Sequence, residues 1–463
     1  MIEIISKQKK LNIRIKTNST FYHMYLLGIV FSTILYSING FSVKTTGRLT
    51  LGGVAITERF KTDEFGSKSN DHLLSSSRFF YKVSDLGSDK WELTTDLRDK
   101  HDFFGKLTKE QLALESKNDF QVRQMTAHWL NPEGAFSSQI GRFQLPEAGS
   151  VFVDGVDLEF RFTPYLKSGG FSGFNPKSIE DSDLNFDKNA TQNGVFLTYQ
   201  SHDEGWDKNL YFSHGLVEQT YKKQKERSFF FHNLIYQWEA NSRWISYLNY
   251  DLVPEKKVQT ANMIYQQNWT KAYNYELGYL HIDLLEYRRR QGLLEKLDPS
   301  PYRESHFQLQ RKNENKSSVA IEFHSGLRDA DHLKRYDAIL GFVQNELLSK
   351  NLDLYFKLGS RNNFTSKDKF INFGIGYYSK FWESSIDTEY QISANNDGTT
   401  THPTTIELAL TNYYSKELFL TASFERAADE NVTITSTFIK FGYRFGNQEI
   451  PPVRDGAPPR GPI

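Results

Sequence analysis

The chain has 463 residues, no cysteine, and 56 basic residues balanced by 56 acidic ones. The zero net charge argues against a nucleic-acid-binding protein, which would carry a basic excess. No run of 18 or more apolar residues lies beyond residue 43, so we expect no transmembrane helix there. Aromatic residues nevertheless make up 15% of the chain. A β-barrel can have such a composition, because only alternate residues of each strand meet lipid.

Residues 1–42 have the pattern of a secretory signal peptide. A basic leader precedes the hydrophobic stretch Tyr25–Tyr36, whose 12 residues are too few to span a membrane comfortably. Small residues follow, so we expect cleavage after Gly40 or Ser42. An N-terminal membrane anchor is the alternative interpretation, because the leader is long for a signal peptide.

Apolar and polar residues alternate in segments distributed along most of the chain. In the first of them, Trp91 and Leu93 fall on one face of a strand, and Glu92 and Asp96 fall on the other. Similar alternation occurs at 156–162, 352–358, 386–392, 406–411 and 437–445. A soluble sheet with one solvated face could have this pattern. Its recurrence behind an export signal favours an all-β transmembrane barrel, with the apolar face on lipid and the charged face on a water-filled lumen.

Turn-forming residues separate the predicted strands, and short connections alternate with longer ones. The short connections lie near 84–89, 131–134, 163–167, 203–207, 239–243, 267–273, 313–316, 348–351, 379–382 and 413–418. The intervening connections, mostly longer and more polar, lie near 57–73, 99–118, 144–152, 175–191, 217–225, 283–303, 327–335, 361–368, 394–402 and 427–431, with one tight link near 253–257.

This asymmetry is typical of outer-membrane barrels, which have short periplasmic turns and longer extracellular loops. Residues 43–445 are therefore predicted to form an antiparallel up-and-down barrel of about 22 strands, with both termini in the periplasm. This count divides 151–174 into two strands, and roughly 16 to 20 strands remain an alternative.

The last alternating segment, Thr437–Phe445, ends on an aromatic residue. Together with the signal peptide and the aromatic-rich strands, this strand resembles those of bacterial outer-membrane porins, where it is the recognition signal for barrel insertion. The residues that match that signal are Ile439, Phe441, Tyr443 and Phe445. Such signals usually end the chain, whereas here the proline-rich segment 446–463 follows, which we predict to be a disordered periplasmic tail.

A second resemblance is confined to about 25 residues. The segment Ile140–Gly149 followed by Asp154–Phe162 is similar to porin-like families of the alginate-export and phosphate-selective type. It does not identify a substrate.

The porin resemblance implies residence in the bacterial outer membrane, in contact with its lipid and lipopolysaccharide. It also implies insertion by the barrel-insertion machinery and passage of small hydrophilic solutes. The triplet Arg288–Arg290, in the loop 283–303, could bind lipopolysaccharide phosphates or attract anionic solutes, although a solvated loop is the simpler interpretation. The sequence leaves the oligomeric state open.

Charged residues of the N-terminal third are the candidates for lining the pore. If their strand faces point inward, they place rings of charge around the lumen, and such rings select solutes by field and hydration. The candidates are Arg98, Arg123, Arg142, Arg161, Asp96, Asp157 and Glu159. Because the arginines slightly outnumber the acids, we expect a mild preference for anions. The alternative is that these residues pair with one another as ordinary solvated lumen residues.

Two functions remain after the search for motifs. We find no catalytic motif of a hydrolase, metalloprotease or nucleotide-binding enzyme, and no cofactor-binding fingerprint. The acidic stretch 180–187 could bind Ca²⁺ weakly, although a plain acidic loop is the simpler interpretation. The first hypothesis is a passive diffusion channel. The second is a surface adhesin or structural barrel with a closed lumen, whose outer loops bind a partner.

Overall fold

The computed structural model describes residues 43–60, 68–86, 90–102, 118–131, 134–176, 186–202, 209–239, 241–253, 256–283, 301–329 and 331–447. The predicted signal peptide and all but the first two residues of the predicted tail lie outside them, as do the triplet Arg288–Arg290 and most of the two longest predicted loops. Within the described residues no helix is long and apolar enough to cross a membrane.

The described chain is almost entirely antiparallel β-strand. The first twelve strands are β1 Lys44–Phe60, β2 Lys68–Asp85, β3 Trp91–Asp102, β4 Asn118–Trp129, β5 Phe136–Leu145, β6 Val151–Arg161, β7 Leu166–Pro176, β8 Phe186–His202, β9 Asn209–Tyr221, β10 Gln224–Glu239, β11 Ser242–Val253 and β12 Lys257–Asn268. The others are β13 Tyr273–Ile282, β14 Tyr302–Lys312, β15 Ser317–Arg328, β16 Lys334–Gln344, β17 Leu352–Asn362, β18 Ser366–Tyr378, β19 Trp382–Asn395, β20 Thr400–Thr401, β21 Thr404–Tyr413, β22 Leu418–Ala428 and β23 Val432–Gly446.

The strands close into one barrel whose wall has 22 strand positions, which we call staves. The two-residue β20 and the longer β21 both pair with β19, so they form a single stave interrupted at 402–403. Closure is made by β1 and β23, whose ladder runs from Thr46–Gly446 to Phe60–Val432. The predicted strand count and the predicted division of 151–174 into β6 and β7 are confirmed.

The two ends of the barrel differ in their connections. The end where β1 begins and β23 finishes is called the terminal end, and the opposite one the loop end. The segments 103–117 and 284–300, which lie outside the described residues, both belong to the loop end. Several other loop-end connections are shorter than predicted. Instead of a loop at 217–225, β9 runs to Tyr221 and β10 resumes at Gln224.

Alternation along most strands separates a largely apolar outer face from a largely polar inner face. Ile140, Val195 and Ile439 are 53–59% exposed on the outside, although they are large and apolar. Ionisable residues such as Asp337 on β16 and Asp368 on β18 lie on the opposite face, toward the lumen. The predicted faces of the alternating segments are therefore correct.

The hairpin of β5 and β6 departs from the wall and folds into the lumen. The ladder between β4 and β5 ends at the pair Met125–Arg142, so residues 118–124 of β4 are not paired with β5. Three glycines form one rung at the point of departure: Gly141 pairs with Gly155, and Gly155 pairs with Gly173. A Cβ added at Gly155 would collide with the backbone of β7. Glycine is therefore required where the hairpin leaves the wall.

Candidate functional site

The tip of the β5–β6 hairpin packs on the inward face of β7–β10. Phe143 and Val153 of the hairpin are fully buried, and so are Phe229 and Phe231 of the wall. The other members of this apolar cluster are Leu145, Ala148, Val151, Phe171, Phe196 and Val217. Burying each large side chain stabilises the hairpin by about 1.5–3 kcal/mol before conformational entropy is counted. The tip is therefore an ordered constriction of the lumen.

Two side chains of the wall bind the backbone of the tip. The Gln192 amide donates a hydrogen bond to the Phe152 carbonyl oxygen, and the Ser213 hydroxyl donates one to the Glu147 carbonyl oxygen. Both wall side chains are buried under the tip. These bonds satisfy carbonyl groups that have left the barrel ladder.

Lys167 on β7 connects the tip to the wall electrostatically. Its Nζ lies 3.0 Å from Glu147 Oε1 on the tip and 2.8 Å from Glu159 Oε1 on β6. Asp157, two residues before Glu159 on the same inward face, is 3% exposed. Asp157 and Glu159, both predicted lining residues, thus lie together on β6, where Glu159 shares Lys167 with the tip.

Arg142, another predicted lining residue, lies on the hairpin. Its Nε and Nη2 donate to the two carboxylate oxygens of Asp154 at 2.6 and 2.7 Å, and its Nη1 donates to the Val122 carbonyl oxygen at 3.0 Å. Its side chain is 7% exposed. The guanidinium therefore fastens the hairpin to the unpaired edge of β4, and its charge is balanced by Asp154.

The other predicted lining residues lie at separate places. Asp96 faces the lumen and accepts two hydrogen bonds from Arg78, at 2.8 and 2.7 Å. Arg98 is on the same face and pairs with Arg78 across the ladder. Arg123 occupies a bulge in β4, and Arg161 is exposed at the terminal end of β6. The structure therefore does not bring the four predicted arginines into one ring.

A different group of cations lies at the closure of the barrel. Arg48 of β1 pairs directly with Arg444 of β23, and both guanidinium groups lie over the Phe419 ring, at 5.6 and 5.7 Å from its centroid. Lys440 is on the same inward face. Within the described chain, none of these three cations forms an ion pair. We call Arg48, Arg78, Lys440 and Arg444 the basic sector.

Carboxylates dominate the neighbouring staves. Asp387 of β19 pairs with Glu407 of β21, and Glu407 pairs with Glu425 of β22. All three face the lumen, with Glu389 two residues farther along β19. Like charges directly opposite one another destabilise a sheet, so this arrangement is costly for folding alone. We call Asp387, Glu389, Glu407 and Glu425 the acidic sector.

No protein-family model and no curated protein matches the chain. The translocation pore of the P pilus usher PapC is a solved structure with 9% identity and a TM-score of 0.50, and the match covers 86% of this chain and 99% of that one. OccAB4 of Acinetobacter baumannii has 11% identity and a TM-score of 0.42, over 88% of this chain and 100% of that one. OpdK of Pseudomonas aeruginosa, solved with vanillate, has 10% identity and a TM-score of 0.37, over 87% and 99%. At these identities the PapC match supports the large-barrel fold alone.

Sequence reasoning missed the basic sector and the inward hairpin. Alternation had already placed Lys440 and Arg444 on the polar face of the last strand, but the sequence does not show that β1 closes the barrel beside them. The hairpin does leave a pattern in the sequence. Gly141, Gly155 and Gly173 mark its departure from the wall, and apolar residues continue around Pro146, where a surface loop would be polar.

Proposed function

We propose that this protein is an outer-membrane porin, a passive diffusion channel for small hydrophilic solutes. The observation that supports this most is the polarity of the closed barrel. Its outer face exposes many large apolar side chains, while ionisable groups face inward. In water such an apolar band would favour aggregation, whereas in a bilayer it faces hydrocarbon and the inner face encloses water.

The width of the barrel supports a water-filled passage. Barrels of 16–18 strands already leave an aqueous channel, so one of 22 staves holds a wide lumen unless a plug fills it. Among the described residues, the segment that enters the lumen is the β5–β6 tip, and it covers the inward face of β7–β10. The basic and acidic sectors lie on other staves, where their charges act on passing solutes.

The proposed orientation places the terminal end in the periplasm of a Gram-negative bacterium. The outward residues Ile439, Phe441, Tyr443 and Phe445 would then meet lipid and serve as the signal for the barrel-insertion machinery. The loop end would face outward, next to lipopolysaccharide. A channel of this kind needs no catalytic group, and we propose no enzymatic activity.

A finer assignment concerns the solute. The segments that resemble alginate-export and phosphate-selective porins, Ile140–Gly149 and Asp154–Phe162, both belong to the β5–β6 hairpin. We propose that this hairpin sets the size limit of the pore. We propose further that the basic sector, rather than Arg142, gives any preference for anions, because Arg142 is neutralised by Asp154.

Planar-bilayer recording tests the channel proposal. Purified protein should insert in discrete conductance steps that scale with salt concentration. A protein that is folded and membrane-inserted but carries no current would overturn the proposal.

One observation favours the second hypothesis, a structural barrel or adhesin with a closed lumen: the hairpin builds an apolar cluster inside the barrel. Removing 103–117 separates the two hypotheses. A channel should keep conducting with altered amplitude, whereas an adhesin should lose adhesion of whole cells to host or bacterial surfaces.

A further inference from the structure

Two copies of the tripeptide pattern Glu-x-His face each other inside the barrel. Glu304 and His306 lie on β14, and Glu322 and His324 lie on β15. Residues two apart on a strand share one face, so all four side chains point toward the lumen. The ladder pairs His306 directly with His324. Glu276 of β13 joins the same group from the other side.

The donor atoms of this group already lie close together. One ligand atom from each of Glu304, His306 and His324 lies within 4.8 Å of the others. His324 Nδ1 is 2.9 Å from Glu304 Oε1, and His306 Nε2 is 3.1 Å from Glu276 Oε1. His324 Nε2 is 3.9 Å from Glu322 Oε2. The two imidazoles stack with their centroids 5.5 Å apart.

Neighbouring residues hold one of the carboxylates in place. The Tyr302 hydroxyl donates a hydrogen bond to Glu304 Oε2. Arg335 Nη1 lies 3.7 Å from Glu304 Oε2, and its Nη2 binds Asp337 at 2.5 Å. Asp337 is in turn opposite His324 in the ladder. Partners of this kind orient metal ligands and raise their affinity.

We propose that Glu304, His306 and His324 form a reversible binding site for a divalent transition-metal ion, such as Zn²⁺, on the lumen wall. Imidazole and carboxylate are the donors that Zn²⁺ accepts at bond lengths of about 2.0–2.2 Å, which places tetrahedral ligand atoms about 3.3 Å apart. Side-chain rotations that draw the three donors together by roughly 1.5 Å would give that geometry.

The chemistry of the group favours a transition metal over Mg²⁺ or Ca²⁺. Those harder ions prefer all-oxygen sites, whereas imidazole nitrogen suits Zn²⁺, Cu²⁺ and Ni²⁺. Binding would replace the proton shared by His324 and Glu304, and that proton would pass to solvent. Glu276 and Glu322 add negative charge around the ion. The histidines are 24% exposed, so an ion can reach them from the lumen.

The outer face of the barrel supplies a matched control. His214 and His232 are also directly opposite on neighbouring strands, with their rings stacked 4.8 Å apart and their Nδ1 atoms 3.1 Å apart. His232 also forms a hydrogen bond with the Ser246 hydroxyl. This pair has the same residue type and spacing but no carboxylate donor among these contacts.

Competition between the folded, full-length, untagged barrel and a chromophoric chelator measures Zn²⁺ binding directly, and it requires no conduction. The wild type should bind one ion at this site. H306N/H324Q and E304Q should each weaken binding at least tenfold, because losing even an outer-shell partner typically costs about 10- to 100-fold in affinity. H214N/H232Q should bind like the wild type. The proposal would be overturned if the wild type bound Zn²⁺ no more tightly than H306N/H324Q. It would also be overturned if H214N/H232Q lost as much Zn²⁺ affinity as H306N/H324Q.

A second measurement guards against misfolding of the double variant. Zn²⁺ should raise the urea midpoint of the wild type, because an ion that binds only the folded state stabilises it. E304Q replaces one carboxylate oxygen by an amide nitrogen, so Zn²⁺ should raise the urea midpoint of this variant less. An equal rise in E304Q and the wild type would contradict ligation by Glu304. Failure of conduction would leave these results intact, since the proposal depends on the barrel fold alone.

Discussion

At the scale of single residues, Arg142 shows how a charge can hold a structure together instead of acting on a solute. Its guanidinium binds Asp154 twice and a backbone carbonyl of β4 once. R142A should leave the largely buried Asp154 carboxylate without its partner, at a cost of about 3 kcal/mol. We expect a lower urea midpoint, and larger, noisier conductance as the hairpin loosens. The double variant R142A/D154A should recover part of the stability, and a midpoint for R142A equal to the wild type would refute this role.

For the basic sector we predict the opposite: removing its charges should change ion selectivity and have little effect on stability. Arg48 and Lys440 face the lumen without a carboxylate partner among the described residues. R48Q/K440Q should therefore shift the reversal potential toward cations in a salt gradient, because it removes uncompensated positive field. R426Q is the control, since Arg426 lies on the outward face of β22. Equal reversal potentials for R48Q/K440Q and the wild type would place the selective region elsewhere.

At the scale of elements, the glycine rung decides whether the β5–β6 hairpin can leave the wall. A methyl group at Gly155 would meet the rigid backbone of Ser172 and Gly173. Overpacking of this kind typically costs about 1–3 kcal/mol, so G155A should lower the urea midpoint and displace the hairpin. G170A is the matched control, because a Cβ at Gly170 makes only ordinary contacts. Similar midpoints for the two variants would show that the rung is not constrained.

The elements also show what the sequence could and could not predict. The alternation of 156–162 predicted strand β6 and its two faces, because apolar and polar residues that alternate along a strand are neighbours in the sequence. The inward fold of the same hairpin depends on contacts with Phe229 and Phe231 of β10, the fourth strand after the hairpin. The tight turn after Tyr221 was missed for another reason. Lys222 and Lys223 adopt positive φ of 49° and 67°, where Asn-Gly is the usual sequence.

At the scale of the whole molecule, closure depends on the first and last strands. The Phe445 ring covers Gly47 and stacks with Phe79 and Tyr81, at centroid distances of 6.2 and 5.9 Å. F445A should therefore weaken the seam and reduce the folded, heat-modifiable form on gels. Removal of 448–463 is the control and should leave that form intact, because the ladder between β1 and β23 ends at Gly446. A normal yield of folded F445A would show that this aromatic residue is dispensable.

The orientation of the barrel in its membrane follows from the same asymmetry of its ends. Leu348, in a terminal-end turn, is 90% exposed, so a protease site inserted beside it would be cut readily if it faced the medium. We expect such a site to survive protease added to intact cells, while the same site inserted in 103–117 is cut. Permeabilising the outer membrane should expose both sites, and this control shows that the site beside Leu348 can be cut when the protease reaches it. Cleavage at Leu348 in intact cells would invert the proposed topology. The basic sector, whose Arg48 and Arg444 lie near the terminal end, would then face the medium rather than the periplasm.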